Sequence, residues 1–127
     1  MPYEVRWHQE NRTVLQRIYG EVDADDLVAI ADATAALLNE GMPPVHIIAD
    51  LSQLRRCPTS ITKVRASLHY LDNPALGWTM LVTGNVLVHF MADIIGQATK
   101  LRVSQRRTLQ EAAAFLGAHD ATLITGV

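Results

Sequence analysis

Between residues 50 and 65 the chain gathers the side chains best suited to hold or accept an anion: Asp50, Ser52, Arg55, Arg56, Thr59, Ser60, Lys63 and Arg65. Guanidinium and ammonium groups bind phosphate and carboxylate through charge-assisted hydrogen bonds. A hydroxyl at the start of a helix can accept a phosphoryl group, or share an anion with the free amides there. Asp50 and Ser52 can orient a ligand at the end of a strand. The same residue types also suit plainer work. Thr59 or Ser60 can cap a helix after Pro58, Asp50 and Ser52 can shape a turn, and the cations can form a solvated surface. Cys57 stands beside Arg56, a neighbour that favours a thiolate, but no positioned base accompanies it. No G-x-S-x-G elbow, H-E-x-x-H pair, dinucleotide fingerprint or phosphate loop occurs. The five histidines, His8, His46, His69, His89 and His119, show no i, i+4 pair and read as ordinary polar or packing residues. No catalytic residue, metal site or cofactor is expected.

The elements that must position these residues follow from periodicity. Tyr3, Val5 and Trp7 alternate with polar residues as in a half-buried strand, and residues 13–19 read as a second. Glu10-Asn11-Arg12 is the hairpin turn between them, and Gly20 breaks the pattern. Asp23 caps a first helix, with Val22 and Leu27 placed as a hydrophobic staple and Gly41 as its stop. Val45 to Leu51 is a central strand, so Arg55 to Ser60 fall in the loop after it. Ile61, Val64, Leu68 and Leu71 then recur at helical spacing, and residues 78–83 form another buried strand. Asn85 opens a third helix. Its apolar residues Val86, Leu87, Val88, Phe90, Met91, Ile94 and Ile95 cover more than one face, which implies deep burial or a partner. A short strand over 101–105 follows. Thr108-Leu109-Gln110-Glu111 is a capping box for a last helix through Leu116. The order is β-β-α-β-α-β-α-β-α, an α/β fold with a mixed sheet, since strands joined through helices pair in parallel.

The totals bound the answer. The 127 residues suffice for one domain with its own core, spanning 1–127. A net charge of -2 argues against a general nucleic-acid or membrane-surface binder. A single cysteine excludes an internal disulfide and suits a reducing cytoplasm. The longest apolar segment, 86–101, contains His89, Asp93, Gln97 and Lys100 and is too short to span a bilayer.

This order of elements, with Asp50-Leu51-Ser52-x-Leu54 ending the central strand, resembles the STAS domain, named for sulfate transporters and anti-sigma-factor antagonists. The likeness covers nearly the whole chain and is greatest to an uncharacterised bacterial branch grouped with STAS and CRAL-TRIO-like folds. It includes the Gly20 break, Pro44 through Ser52, Asn73-Pro74-Ala75-Leu76-Gly77-Trp78, and Glu111-Ala112 with Phe115-Leu116. In the signalling members the loop after the central strand carries Asp-Ser-Ser-Gly or a close variant. A kinase phosphorylates its serine, and the dianion dissociates the partner. Here Pro58-Thr59-Ser60-Ile61 stands there, so the Asp and Gly are missing while two hydroxyls remain. The resemblance therefore implies a STAS-like module with a degenerate phosphoswitch.

The expectation is a non-enzymatic cytoplasmic binding or regulatory module. It would act through protein contacts at Asp50, Ser52, Arg55, Arg56, Thr59, Ser60 and Lys63. The greasy helix, with Val86, Leu87, Phe90, Met91 and Ile94, would serve as a second interface, including for a homodimer. The alternative is a carrier or sensor of a small hydrophobic or anionic ligand, with that helix lining a CRAL-TRIO-like pocket. One scaffold hosts unrelated functions, so the fold alone does not choose.

Overall fold

The computed structural model of the chain describes residues 3–56, 70, 73–84, 102–120 and 123. Five strands form one sheet: β1 (Tyr3–Gln9), β2 (Thr13–Glu21), β3 (Val45–Arg56), β4 (Leu76–Val82) and β5 (Val103–Arg106). They lie in sequence order across it. β1 pairs antiparallel with β2, and β2, β3, β4 and β5 run parallel. Two helices are described, α1 (Ala24–Glu40) and α2 (Leu109–His119). The mixed α/β sheet is the one expected. Apart from Tyr70, the helices expected over 60–71 and 85–98 lie outside the described residues.

β1 and β2 meet through residues 10–12. Asn11 adopts φ 64°, and the Arg12 N–H donates to the Gln9 carbonyl at 3.0 Å. Asparagine enters this left-handed region more readily than most residues, which suits it to the tight turn. Gly20 has φ +68°, but it does not end β2; the strand runs through it to Glu21.

α1 begins as the acidic cluster dictates. The Asp23 carboxylate accepts from the Asp26 N–H at 2.8 Å, and the Asp26 carboxylate accepts from the Asp23 N–H at 3.1 Å. This reciprocal box uses an aspartate where glutamate or glutamine is usual. Val22 and Leu27 are both buried in one cluster with Ile18 and Ile30, as a staple requires. Gly41 closes α1 in an extended conformation, with its N–H donating to the Leu37 carbonyl. Glycine is needed there for space: a Cβ would sit 2.7 Å from a Val45 methyl and 2.9 Å from the Asn11 carbonyl.

The two faces of the sheet carry separate cores. Val14, Val45 and Ile47 pack with Ala31 and Leu38 of α1 and with Tyr70. Leu15, Ile48, Met80 and Val82 pack with Ala112 and Leu116 of α2 and with Leu123. β3 supplies both cores, and residues 45–49 are all buried. Each large aliphatic side chain buried there contributes about 1.5–3 kcal/mol. A bulge at Gly77–Trp78, opposite His46, puts Leu76 on the α1 face and Trp78 on the α2 face.

Several element bounds differ from the sequence reading. β3 reaches Arg56 rather than Leu51, because its backbone continues to pair with β2 while Leu51 and Leu54 pack on the cluster around Ile18. β4 starts at Leu76, β5 at Val103, and α2 runs on to His119. Thr108 accepts from the Glu111 N–H at 3.1 Å, which is the threonine's half of the expected capping box.

A buried polar network crosses the α1 face. Gln16 Nε2 donates to Thr34 Oγ1 at 2.9 Å and to the Tyr70 hydroxyl at 3.3 Å. Thr34 Oγ1 in turn donates to the Ile30 carbonyl at 2.7 Å. Burial raises the Tyr70 phenol above its ordinary value of 10.0, and the Gln16 hydrogen bond acts in the opposite direction. The unfolded chain therefore releases this proton first as pH rises, so folding loses stability from the ordinary tyrosine value upward. Replacing Tyr70 by Phe should cost about 1 kcal/mol near pH 8, through the lost hydrogen bond. The gap to the unsubstituted chain should narrow at about pH 10.5, where only the latter carries the Tyr70 penalty. Urea denaturation of both proteins at the two pH values checks this.

Candidate functional site

The carboxyl edge of the parallel strands is where open α/β sheets expose chain ends and loops. Here it is shaped by the irregular second half of β3. Asp50 is its last residue paired on both sides, with Arg17 of β2 and Val82 of β4. Beyond Asp50, β3 continues beside β2 alone, as a two-stranded ribbon.

The ribbon begins with a bulge. Arg17 pairs with Asp50 and Tyr19 with Gln53, so Leu51 and Ser52 together oppose Ile18. The extra residue takes a backbone group out of the ladder, and such a group needs another partner. Asp50 supplies it: Oδ1 accepts from the Ser52 N–H at 3.1 Å and from Ser52 Oγ at 2.6 Å. The result fixes three roles. Asp50 braces the turn, Leu51 packs against the core, and Ser52 stands exposed with its hydroxyl held by a carboxylate. The local side-chain to backbone bond that these residue types favour is thus present between Asp50 and Ser52.

A second irregularity follows. Gly20 pairs with Leu54 and Glu21 with Arg56, leaving Arg55 as the extra residue. The Val22 N–H donates to the Arg56 carbonyl at 2.9 Å, which ties the ribbon to the start of α1. Arg55 and Arg56 are therefore exposed strand residues, not the loop residues expected from sequence. The ladder holds their backbone where a loop would not. Thr59, Ser60, Lys63, Arg65 and Cys57 lie outside the described residues, as do Val86, Leu87, Phe90, Met91 and Ile94.

At the far side of the same edge, β5 ends in Arg106. Its guanidinium donates to Ser104 Oγ at 3.1 Å and to the Gln105 carbonyl, and lies 4.6 Å over the Phe115 ring. Phe115 stacks on His119 and meets Trp78 edge-on, with centroids 3.9 and 4.9 Å apart. An arginine held by hydrogen bonds and a ring face is preorganised, so little of its freedom remains to be lost on docking.

The opposite, amino edge holds a polar cluster that sequence reasoning missed. His46 is almost fully buried. Its Nδ1 accepts from the Trp78 N–H at 2.9 Å, so the ring proton sits on Nε2, which donates to Asp120 Oδ2 at 2.7 Å. Arg12 donates to the same oxygen at 3.0 Å and to the Pro44 carbonyl at 3.4 Å. A Cβ on Gly77 would lie 2.5 Å from His46 Nδ1, so the amide approaches the ring only because residue 77 is glycine. A hydrogen-bonded His–Asp pair can orient a general base toward a nucleophile. Here the second ring nitrogen is occupied by a backbone N–H and has no lone pair to offer. The cluster is a clamp joining the hairpin loop, β3 and the end of α2. Its members are 74 and 108 residues apart in sequence, so no local pattern announces them.

Among the described residues no three His, Cys, Asp or Glu side chains come together as a metal site would need. No described helix is long and apolar enough to cross a membrane.

No protein-family model matches the chain, and no curated protein matches it by sequence. Solved structures do match its fold. An uncharacterized protein with a SpoIIAA-like fold from Shewanella loihica PV-4 aligns over 90% of this chain and 91% of its own, at 10% identity and TM-score 0.65. The Bacillus cell fate determinant SpoIIAA in its phosphorylated form aligns over 90% and 98%, at 17% identity and TM-score 0.62. An anti-sigma factor antagonist from Mycobacterium paratuberculosis aligns over 91% and 92%, at 17% identity and TM-score 0.60. The fold is the SpoIIAA-like one of STAS domains, as the sequence resemblance implied.

The clamp makes a quantitative expectation. Substituting Asp120 by Ala removes the acceptor of the buried His46 N–H, and substituting His46 by Ala removes one donor to Asp120 and the acceptor of the Trp78 N–H; each should cost about 1–3 kcal/mol. The double variant should cost less than the sum of the two, by about 1–2 kcal/mol. Denaturant melts of the four proteins give the coupling directly; strict additivity would remove the clamp from the account.

Proposed function

We propose that the chain is a regulatory protein-interaction module of the cytoplasm, without catalytic activity of its own, that docks partners through the carboxyl edge of its sheet. The observation that carries this reading is the ribbon beyond Asp50. It presents Ser52, Arg55 and Arg56 to solvent on a bulged, ladder-held backbone. A rigid, exposed and cationic edge suits recognition of a partner's acidic groups. The SpoIIAA-like fold supports the choice, since structures named as anti-sigma factor antagonists share it. The polar candidates are therefore Asp50, Ser52, Arg55 and Arg56, continued in sequence by Thr59, Ser60 and Lys63. Asp50 acts by shaping the bulge, and the two arginines supply the charge.

Phosphorylation of Thr59 or Ser60 is the proposed means of tuning. It would add about -1.5 to -2 charge close in sequence to Arg55 and Arg56. The apolar residues Val86, Leu87, Phe90, Met91 and Ile94 are the second proposed contact.

A photo-crosslinking residue placed at position 52 or 56 should yield a discrete protein adduct in the host cell. The same residue at exposed position 8 of β1 or 28 of α1 should yield none. Adding Arg55→Glu to the position-52 protein should lower the adduct about tenfold, the loss of one good charge-assisted contact. Equal labelling from all four positions, or none from any, would reject this surface.

A further inference from the structure

β1 is one margin of the sheet. β2 pairs along one of its edges, and among the described residues no strand pairs along the other. An edge strand offers its unpaired amides and carbonyls to any strand that can match them. The margin at β5 is blunted by its shortness, four residues against seven in β1. Over residues 3–7 β1 has no such protection. Its ladder with β2 is regular there, and no proline or lysine interrupts it. The one irregularity comes later, where His8 is the extra residue of a bulge between Trp7 and Gln9.

The two faces of β1 differ. Tyr3, Val5 and Trp7 are half-buried and pack on the clusters beneath α1. Glu4 and Arg6 point to the other face, are exposed, and join their side chains at 2.8 Å. Across the ladder Glu4 stands opposite Arg17 of β2. About Val5 the strand is self-complementary. Opposite charges stand one residue away on either side, and aromatic rings two residues away.

We infer that β1 pairs antiparallel with β1 of a second copy of the chain, about a two-fold axis that passes through Val5 normal to the sheet. Such an axis joins the two five-stranded sheets into one and matches each face to itself. Glu4 of each copy then faces Arg6 of the other, Tyr3 faces Trp7, and Val5 faces Val5. Opposite charges and aromatic pairs are the cross-strand neighbours that stabilise antiparallel ladders. The Glu4–Arg6 bond within each strand is kept, and the acids and arginines of both copies close into a ring of alternating sign. The same charges fix the register. A slip of one residue sets the charged face against the half-buried one. A slip of two sets Glu4 on Glu4 or Arg6 on Arg6, which repulsion rejects. The pairing uses neither Ser52, Arg55 and Arg56 nor the segment 86–94, and His8 lies beyond the paired span. Its test is therefore independent of the proposed function.

Sedimentation velocity of the purified chain over a concentration series reads the outcome. A reversible monomer–dimer equilibrium is expected, a weak one because the paired span is short. Glu4→Arg leaves only arginines at the junction, and Arg6→Glu leaves only acids. Each should lower the association constant at least about tenfold. Mixing the two variants should restore the dimer, since every facing pair is again opposite in sign. Both substitutions in one chain should restore it too, because the exchange keeps the symmetry. In the unsubstituted chain, amide hydrogen exchange over residues 3–7 should slow as concentration rises, while that of 103–106 stays the same. A chain monomeric at every concentration, or exchange over 3–7 indifferent to concentration, overturns the inference. So does a dimer unaffected by either single substitution, or variants that circular dichroism shows folded but that pair neither when mixed nor when the charges are exchanged.

Discussion

β3 is hemmed in on four sides for its first half, and the rest of the molecule is arranged around that. Its residues 45–49 are covered on both faces, and strands pair along both of its edges. Nothing polar can stay there unpartnered, because a buried group without a hydrogen bond costs about 1–3 kcal/mol. His46 is the polar exception, and each ring nitrogen has its partner. Satisfying that one ring draws in a glycine on β4, the cap residue of α2 and an arginine from the hairpin loop. The hairpin loop is thereby tied to the start of β3 and the end of α2.

The second half of β3 is released from this constraint as soon as β4 stops. Two extra residues enter the strand, its direction of exposure changes, and the chain offers arginines where it had offered isoleucines. The bulge is not a loss of order. Asp50 takes over the hydrogen bond that the ladder drops, and Leu51 and Leu54 keep the ribbon seated on the core. Order without burial is what a recognition surface needs, since a docked partner then meets groups whose freedom is already reduced.

The legible parts of the sequence were those with local signals. The Asp23 cap, the Val22–Leu27 staple, the Thr108 cap and the alternating first strand all rest on spacings of a few residues. The true length of β3 was not legible, because a bulge breaks the period of two and two arginines in a row look like a loop. Gly20 misled for a related reason: glycine at positive φ can sit inside a bulged strand as well as end one. The Gln16–Thr34–Tyr70 network and the His46 clamp join residues far apart in sequence, so only the fold brings them together. Of the site, the local hydrogen bonding of Asp50 with Ser52 was legible in their residue types and spacing, whereas Arg55 and Arg56, expected in a loop, lie on a strand. The expected roles of Thr59, Ser60, Lys63 and the residues of 86–94 rest on sequence alone.

The clamp and the ribbon occupy opposite ends of the same strand. Structural integrity is secured at the amino edge, by residues with no part in the carboxyl one. Substitutions at the exposed Ser52, Arg55 and Arg56 therefore carry little folding cost, and selection can rewrite those positions while the scaffold persists. Drift of this kind leaves shape preserved and sequence worn away, as in chains that superpose along most of their length yet share one residue in ten. In such a lineage the recognition code would diverge quickly, and the buried histidine, its glycine and its aspartate would change together or not at all.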